Sequence, residues 1–323
     1  MDRLSSDLGG REQATEAQAE CAIPFNHNSE ELFAQSQQRL AIPEELFGMD
    51  ELDVFYDDQA QALWTYMRPV GRPSFTPSML GDFVNWQRLI GAHFGPDHVP
   101  LRYLVLGSRA PGVFCFGGDL ELFAALIRAG NRDGLAAYGY RCVEILHRNL
   151  HSLDLPMLTV GLVQGQALGG GFEALLSFDY IVAERGSTFG LPEVKFGLFP
   201  GMGAHAFLTR KLGSAMADRV IMGDAIFSAE QMYDLGIVHA LAEPGEGEAA
   251  VRSFMDRSER RHAGLVGARR ASKRADQITL SELRDIVDHW ADAALNLRDQ
   301  DLKLMQRLAG AQERLPRATG VAA

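Results

Sequence analysis

Cysteine is almost missing from this chain. The three that occur among 323 residues, Cys21, Cys115 and Cys142, are odd in number and far apart. That spacing excludes a disulfide framework and a paired-cysteine metal or redox motif, and it points to a reducing compartment. Long apolar runs are missing too, none reaching the roughly 18 residues that a membrane-spanning helix needs. The opening MDRLSSDLGGREQATEAQAE lacks a basic start followed by an apolar stretch, so an unexported, cytoplasmic protein with no membrane partner is expected. Positive charge is in deficit: Lys and Arg number 31 against 42 Asp and Glu, a net charge of -11. Such a surface repels nucleic acid and anionic lipid, which excludes both as the main partner and leaves room only for a local basic patch. No fixed-period repeat or low-complexity tract occurs.

What is present is a core. Hydrophobic residues make up 46% of the chain, enough for a sizeable globular fold. Residues 1–45 are polar and charged and read as a flexible extension. From 46 to 245, strand-like runs (LDVFYD, ALWTYM, LRYLVLGS, PMLTVGLV, DYIVAE, IVHALA) alternate with helical patterns, an α/β rhythm. From 246 to 323 the strand signal disappears. Apolar residues such as Ile286, Trp290, Ala293 and Leu297 recur every three or four positions, which predicts a C-terminal helical region.

Chemistry enters with glycine. Gly169, Gly170 and Gly171 follow a strand-like run and precede an apolar helix, so their amides lie at a helix N-terminus, where unpaired donors attract negative charge. Close packing of the helix start against a strand is the competing explanation. A second loop, FCFGGDL, repeats the arrangement with Gly117 and Gly118 before a helix; alone it would read as a turn capped by Asp119. Together the loops offer two bare N–H donors, the requirement of an oxyanion hole. Glu173 stands one turn after Gly170 on the same helical face and leans back toward it. Glu193 sits in LPEVKFGLFPGMG, between two glycine-bearing turns. Two carboxyls beside an oxyanion hole suit general acid and base work next to a thioester carbonyl, although either glutamate alone would pass for a surface acid.

The ordered set FCFGGDL, GQALGGGFE, FDYIVAE, STFGLPEVKFGLFPGMG and FSAEQMYDLGIV resembles the crotonase superfamily, the enoyl-CoA hydratase and isomerase group, over about 101 to 242. The resemblance implies a crotonase-like spiral of ββα units, an acyl thioester held by its carbonyl, oxyanion donors at Gly118 and Gly170, catalytic acids at Glu173 and Glu193, and a homotrimer or hexamer whose C-terminal helices close the site. It implies no metal and no cofactor beyond the thioester itself. Ahead of this set, VFYDDQAQALWTYMRPVGRPSFTPSML departs from an ordinary hydratase, and a lysine or arginine for the CoA moiety is not evident there. Over roughly 50 to 300 the chain looks most like the diffusible signal factor synthases. That likeness implies dehydration of a 3-hydroxyacyl chain on acyl carrier protein, hydrolysis to a free cis-2-unsaturated acid, and binding to a sensor kinase. Which glutamate takes which proton stays open. An enoyl-CoA hydratase or isomerase, and a non-catalytic acyl-binding or partner-binding protein, are the alternatives.

Candidates for the acyl pocket are Phe116, Leu122, Phe123, Leu126 and Met202, residues that core packing explains equally well. GMGAHA at 201–206 fits a dinucleotide-loop pattern, but Pro200 precedes it and no clean strand leads in, so it reads as a turn. His205 reads as structural. The basic run at 257–274 reads as a solvated helix face or as a contact for CoA phosphates or an acidic carrier.

Overall fold

The computed structural model describes residues 42–223 and 225–312; most of the expected N-terminal extension, Cys21 included, lies outside them. Two sheets form the centre. The larger orders its strands β1-β2-β3-β5-β7-β10, with β1 (Leu52–Asp57) antiparallel to β2 (Ala62–Met67). The others run parallel: β3 (Tyr103–Ser108), β5 (Leu158–Val163), β7 (Tyr180–Glu184) and β10 (Ala240–Ala242). Parallel strands are covered on both faces, so they read as unbroken apolar runs rather than alternating ones. All six residues of β5 are buried.

The smaller sheet orders β4 (Val113–Cys115), β6 (Gln166–Leu168), β8 (Thr188–Gly190) and β9 (Ile226–Ser228). Its first three strands belong to a repeat: β3, β4 and helix α2 (Leu120–Arg128); β5, β6 and α4 (Gly170–Leu175); β7, β8 and a 3-10 turn (Glu193–Phe196). In every unit one strand joins the large sheet and the next joins the small one. This is the expected ββα spiral. Because β4, β6 and β8 are hydrogen-bonded neighbours, roughly 4.8 Å apart, the three segments leaving them emerge side by side. Those segments carry Gly118, Gly170 with Glu173, and Glu193.

Helix starts follow their caps. Thr76 caps α1 (Pro77–His93), Asp119 caps α2, and Asn131 caps α3 (Arg132–Leu150), each side-chain oxygen accepting from backbone N–H groups one turn ahead. The run IVHALA forms a strand only over Ala240–Ala242. Ile237 and Val238 instead donate their N–H groups to the Met232 carbonyl, closing α7 (Ala229–Asp234), and bury their side chains there.

Beyond α5 (Ala204–Leu212) and α6 (Ser214–Met222), the C-terminal region is helical as expected: α8 (Gly247–Ser258), α9 (His262–Ala275), α10 (Leu280–Ala294) and α11 (Asp299–Gln312). The buried stripe of α10 is Leu283, Val287, Trp290 and Ala294, with Ile286 and Ala293 at its margin. Helix α10 packs along α3, where Gly139 leaves room for Val287, and α11 lies on α2 and the Glu193 turn. Among the described residues no helix is long and apolar enough to cross a membrane.

Candidate active site

Each glycine of the triplet is bare for a different reason. Gly169 has φ 53°, and a Cβ there would stand 2.7 Å from Glu193 Oε1. At Gly170 a Cβ would lie 2.5 Å from Met202 Sδ and 3.5 Å from the Gly118 nitrogen, and at Gly171 it would collide with the Cys115 carbonyl. Close packing and a bare backbone are therefore the same fact here. Because its obstacle is backbone, Gly171→Ala is expected to cost about 3 kcal/mol of stability, measurable by urea denaturation; an unchanged midpoint would contradict this packing.

The amides themselves are free. Helix α4 has no side-chain cap, and among the described residues no acceptor receives the N–H of Gly170 or of Gly118. Asp119 does cap α2, accepting from Glu121 and Leu122, so the capped-turn explanation also holds and simply leaves Gly118 outside the cap. Gly117 touches the Gly170 nitrogen closely enough to exclude any side chain. The two donors thus meet across two glycine loops.

Glu173 is buried, 1% exposed, and its Oε1 accepts from the backbone N–H groups of Met202 and Ala204, both at 2.9 Å. Burial pushes its carboxyl up to about 7 from an ordinary 4.5, against the opposing pull of the Ala204, Met202 and Gly203 amides. Glu193 is part-exposed as a residue, yet its Oε2 is buried without a hydrogen-bond partner among the described residues. Burial, then the Glu173 charge, hold its carboxyl well above the usual range. Of the pair, Glu173 ionises first, where the amides are, and Glu193 keeps its proton to higher pH.

From about 4.5 to about 7 the folded chain keeps a proton on Glu173 that the unfolded chain releases. Stability therefore falls as pH rises through that window, and the contribution is whole below it. Glu173→Gln is expected to shrink the total fall by about 3 kcal/mol by pH 8, leaving the share that belongs to Glu193. Urea denaturation near pH 5 and pH 8 measures it; parallel losses in both proteins would refute the burial argument.

Both acids, both amides and Phe116, Phe123 and Met202 line one cavity of about 130 Å³, closed by Trp290 and Leu308 from α10 and α11. Of the expected pocket residues, Leu122 and Leu126 are not part of that lining. They sit on α2, part-buried against the main core, where packing accounts for them. Tyr138, Phe196, Trp290 and Leu308 went unread in the sequence as site residues, although Trp290 stood in the helical stripe. Arg72 was also passed over: 8% exposed, it reaches Asp119 at 3.4 Å and keeps Nε and Nη1 buried without hydrogen-bond partners among the described residues.

The dinucleotide-like loop serves the protein's own anion. Gly203 (φ 113°) caps α5, and the amides around it bind the Glu173 carboxylate. His205 packs edge-on against Phe199, outside the cavity, and burial lowers its affinity for a proton. The basic run spans the end of α8, a 3-10 turn and α9, and none of its residues lines this cavity. His262 meets the Arg102 carbonyl and Lys273 pairs with buried Asp179 at 2.7 Å, both before strands of the large sheet. Cys115 and Cys142 are buried, and burial pushes both thiols up, so neither is a nucleophile.

Comparison with known proteins agrees with this geometry. The family model for enoyl-CoA hydratase/isomerase matches residues 97–310. Rat mitochondrial methylglutaconyl-CoA hydratase is 29% identical over 48% of this chain and 48% of its own, and a Pyricularia oryzae methylglutaconyl-CoA hydratase is 29% identical over 71% and 65%. The chain spans about half the length of the first of these curated relatives. Among solved structures, Pseudomonas aeruginosa DspI superposes with TM-score 0.61 at 21% identity, covering 70% of this chain and 88% of that one. Human mitochondrial delta3-delta2-enoyl-CoA isomerase gives 0.68 at 18% identity, covering 81% and 98%. With paired glycine amides, two buried carboxyls and a family match over most of its length, the chain belongs to the enoyl-CoA hydratase/isomerase family.

Proposed function

We propose that the protein removes water from a 3-hydroxyacyl thioester carried on acyl carrier protein and then hydrolyses the thioester to free a cis-2-unsaturated acid. The observation that carries this reading is Glu193, whose Oε2 has no hydrogen-bond partner among the described residues, lining the same cavity as Glu173 and two glycine amides equally without acceptors there. In the first step the carbonyl oxygen sits between the Gly118 and Gly170 N–H groups, which stabilise it as negative charge develops. One carboxylate takes the C2 proton, the other carboxyl protonates the C3 hydroxyl, the C3–O bond breaks and water leaves. In the second, a carboxylate activates water against the carbonyl, the same amides hold the tetrahedral oxyanion, and the C–S bond breaks to give acid and thiol.

Hydration of an enoyl-CoA is the second reading, and the order of ionisation favours it: Glu173, which ionises first, would deprotonate water and Glu193, which keeps its proton longer, would give it to C2. Elimination follows the same path from the opposite proton placement. Self-association as a trimer or hexamer fits the exposed apolar Met222, Ile226 and Tyr233. Incubation with 3-hydroxyacyl thioesters of CoA and of carrier protein, followed by mass spectrometry, tests the proposal. A free cis-2 acid supports it, an enoyl thioester alone transfers the case to the hydratase, and an unchanged substrate pool leaves an acyl-binding protein.

A further inference from the structure

Behind the active-site cavity lies a smaller one of about 30 Å³, lined by Leu80, Phe83, Trp86, Cys142, Leu146 and Phe178 among others. It is large enough for a water or a methyl group. The two share walls. Along α3, Tyr138 and Gly139 face the outer cavity, while Cys142, Leu146 and Asn149, three or four residues apart on the same stripe, face the inner one. On α4, Glu173 faces outward and Ala174 inward.

Met202 lines both cavities. Its backbone is pinned by the N–H donated to Glu173, but its unbranched side chain has three rotatable bonds and adapts readily. Gln87, 1% exposed, lines the inner cavity. Its Nε2 donates to the Ile145 carbonyl at 2.9 Å, while its Oε1 is buried with no hydrogen-bond partner among the described residues.

We infer that the two cavities form one acyl channel, partitioned by the Met202 side chain and ended by Gln87, and that this pair sets the longest chain accepted. The inference rests on the acyl-thioester reading above. A chain terminus gains from each methylene buried past Met202 until it meets the Gln87 Oε1, an acceptor that a methyl group cannot satisfy.

Affinity for straight-chain saturated fatty acids of increasing length tests this without turnover. In the wild type it is expected to rise about fourfold per added methylene and then stop. Gln87→Met removes the polar stop and should extend the rise by about two carbons, giving roughly fifteenfold tighter binding of the longest acids. Leu146→Phe fills the inner cavity and should end the rise about two carbons earlier. Neither variant should alter binding of the shortest acids. As an independent readout, acids brominated at the terminal carbon should quench Trp86 fluorescence, a component lost in Trp86→Phe. Identical length profiles in all three proteins, or no quenching of Trp86 by the longest accepted acid, would overturn the channel. Absence of dehydration with the length profile intact would remove the proposed reaction and leave the channel standing.

Discussion

Glu193→Gln is expected to lower dehydration at least about 100-fold, and Glu173→Gln by a similar factor, because each keeps shape and hydrogen bonding but deletes a titrating group. The pair shares one proton, and removal of water needs both an acceptor and a donor. kcat/KM should therefore climb as the pair loses its first proton near pH 7, and fall at higher pH as it loses the second. In Glu173→Gln the residual activity should lose the limb near pH 7. A limb that persists there would assign it to another group. A cis-2-enoyl thioester given directly to each variant isolates the hydrolytic step: the glutamate that activates water should abolish acid release, and the other should spare part of it.

Turnover is expected to fall by a factor on the order of 100 to 1,000 in Gly170→Pro, the range found when one oxyanion donor is lost. Proline is tolerated at the first position of a helix, and Gly170 is the first residue of α4, so the substitution removes the N–H with little demand on the helix. Its side-chain carbon would still crowd Met202 Sδ. Gly170→Ala introduces the same crowding and keeps the donor, and should retain most of the activity after the flexible methionine shifts. Equal losses in both variants would mean that sterics, not the hydrogen bond, matter at this position. A folded proline variant with wild-type turnover would take Gly170 out of the mechanism.

Local signals carried much of this structure. Parallel strands are buried on both faces, so their apolar runs stood out, and a glycine triplet between strand and helix was conspicuous because it is costly anywhere else. Glu173 was legible because its relation to Gly170 is a single helical turn. The partition of strands between two sheets was not legible from pattern: β4, β6, β8 and β9 have three residues each, too short to show a period. The proton's place was equally hidden, since it depends on Met202 and Ala204, some thirty residues from Glu173, offering their amides. Leu122 and Leu126 show the opposite limit. An amphipathic helix declares which side it buries, not whether core or ligand is there.

The roof formed by Trp290 and Leu308 has a consequence for biosynthesis. Every atom assigned to the chemistry has been polymerised by Glu193, yet the side chains that cover it are translated about a hundred residues later, seconds after at ordinary ribosomal speed. During that interval the nascent chain carries the apolar trough without its Trp290 and Leu308 cover. The covering of Glu193, whose turn α11 lies against, is thus completed late, when α10 and α11 dock. Ribosome-bound chains halted before Trp290 should have formed the sheets and still lack that cover.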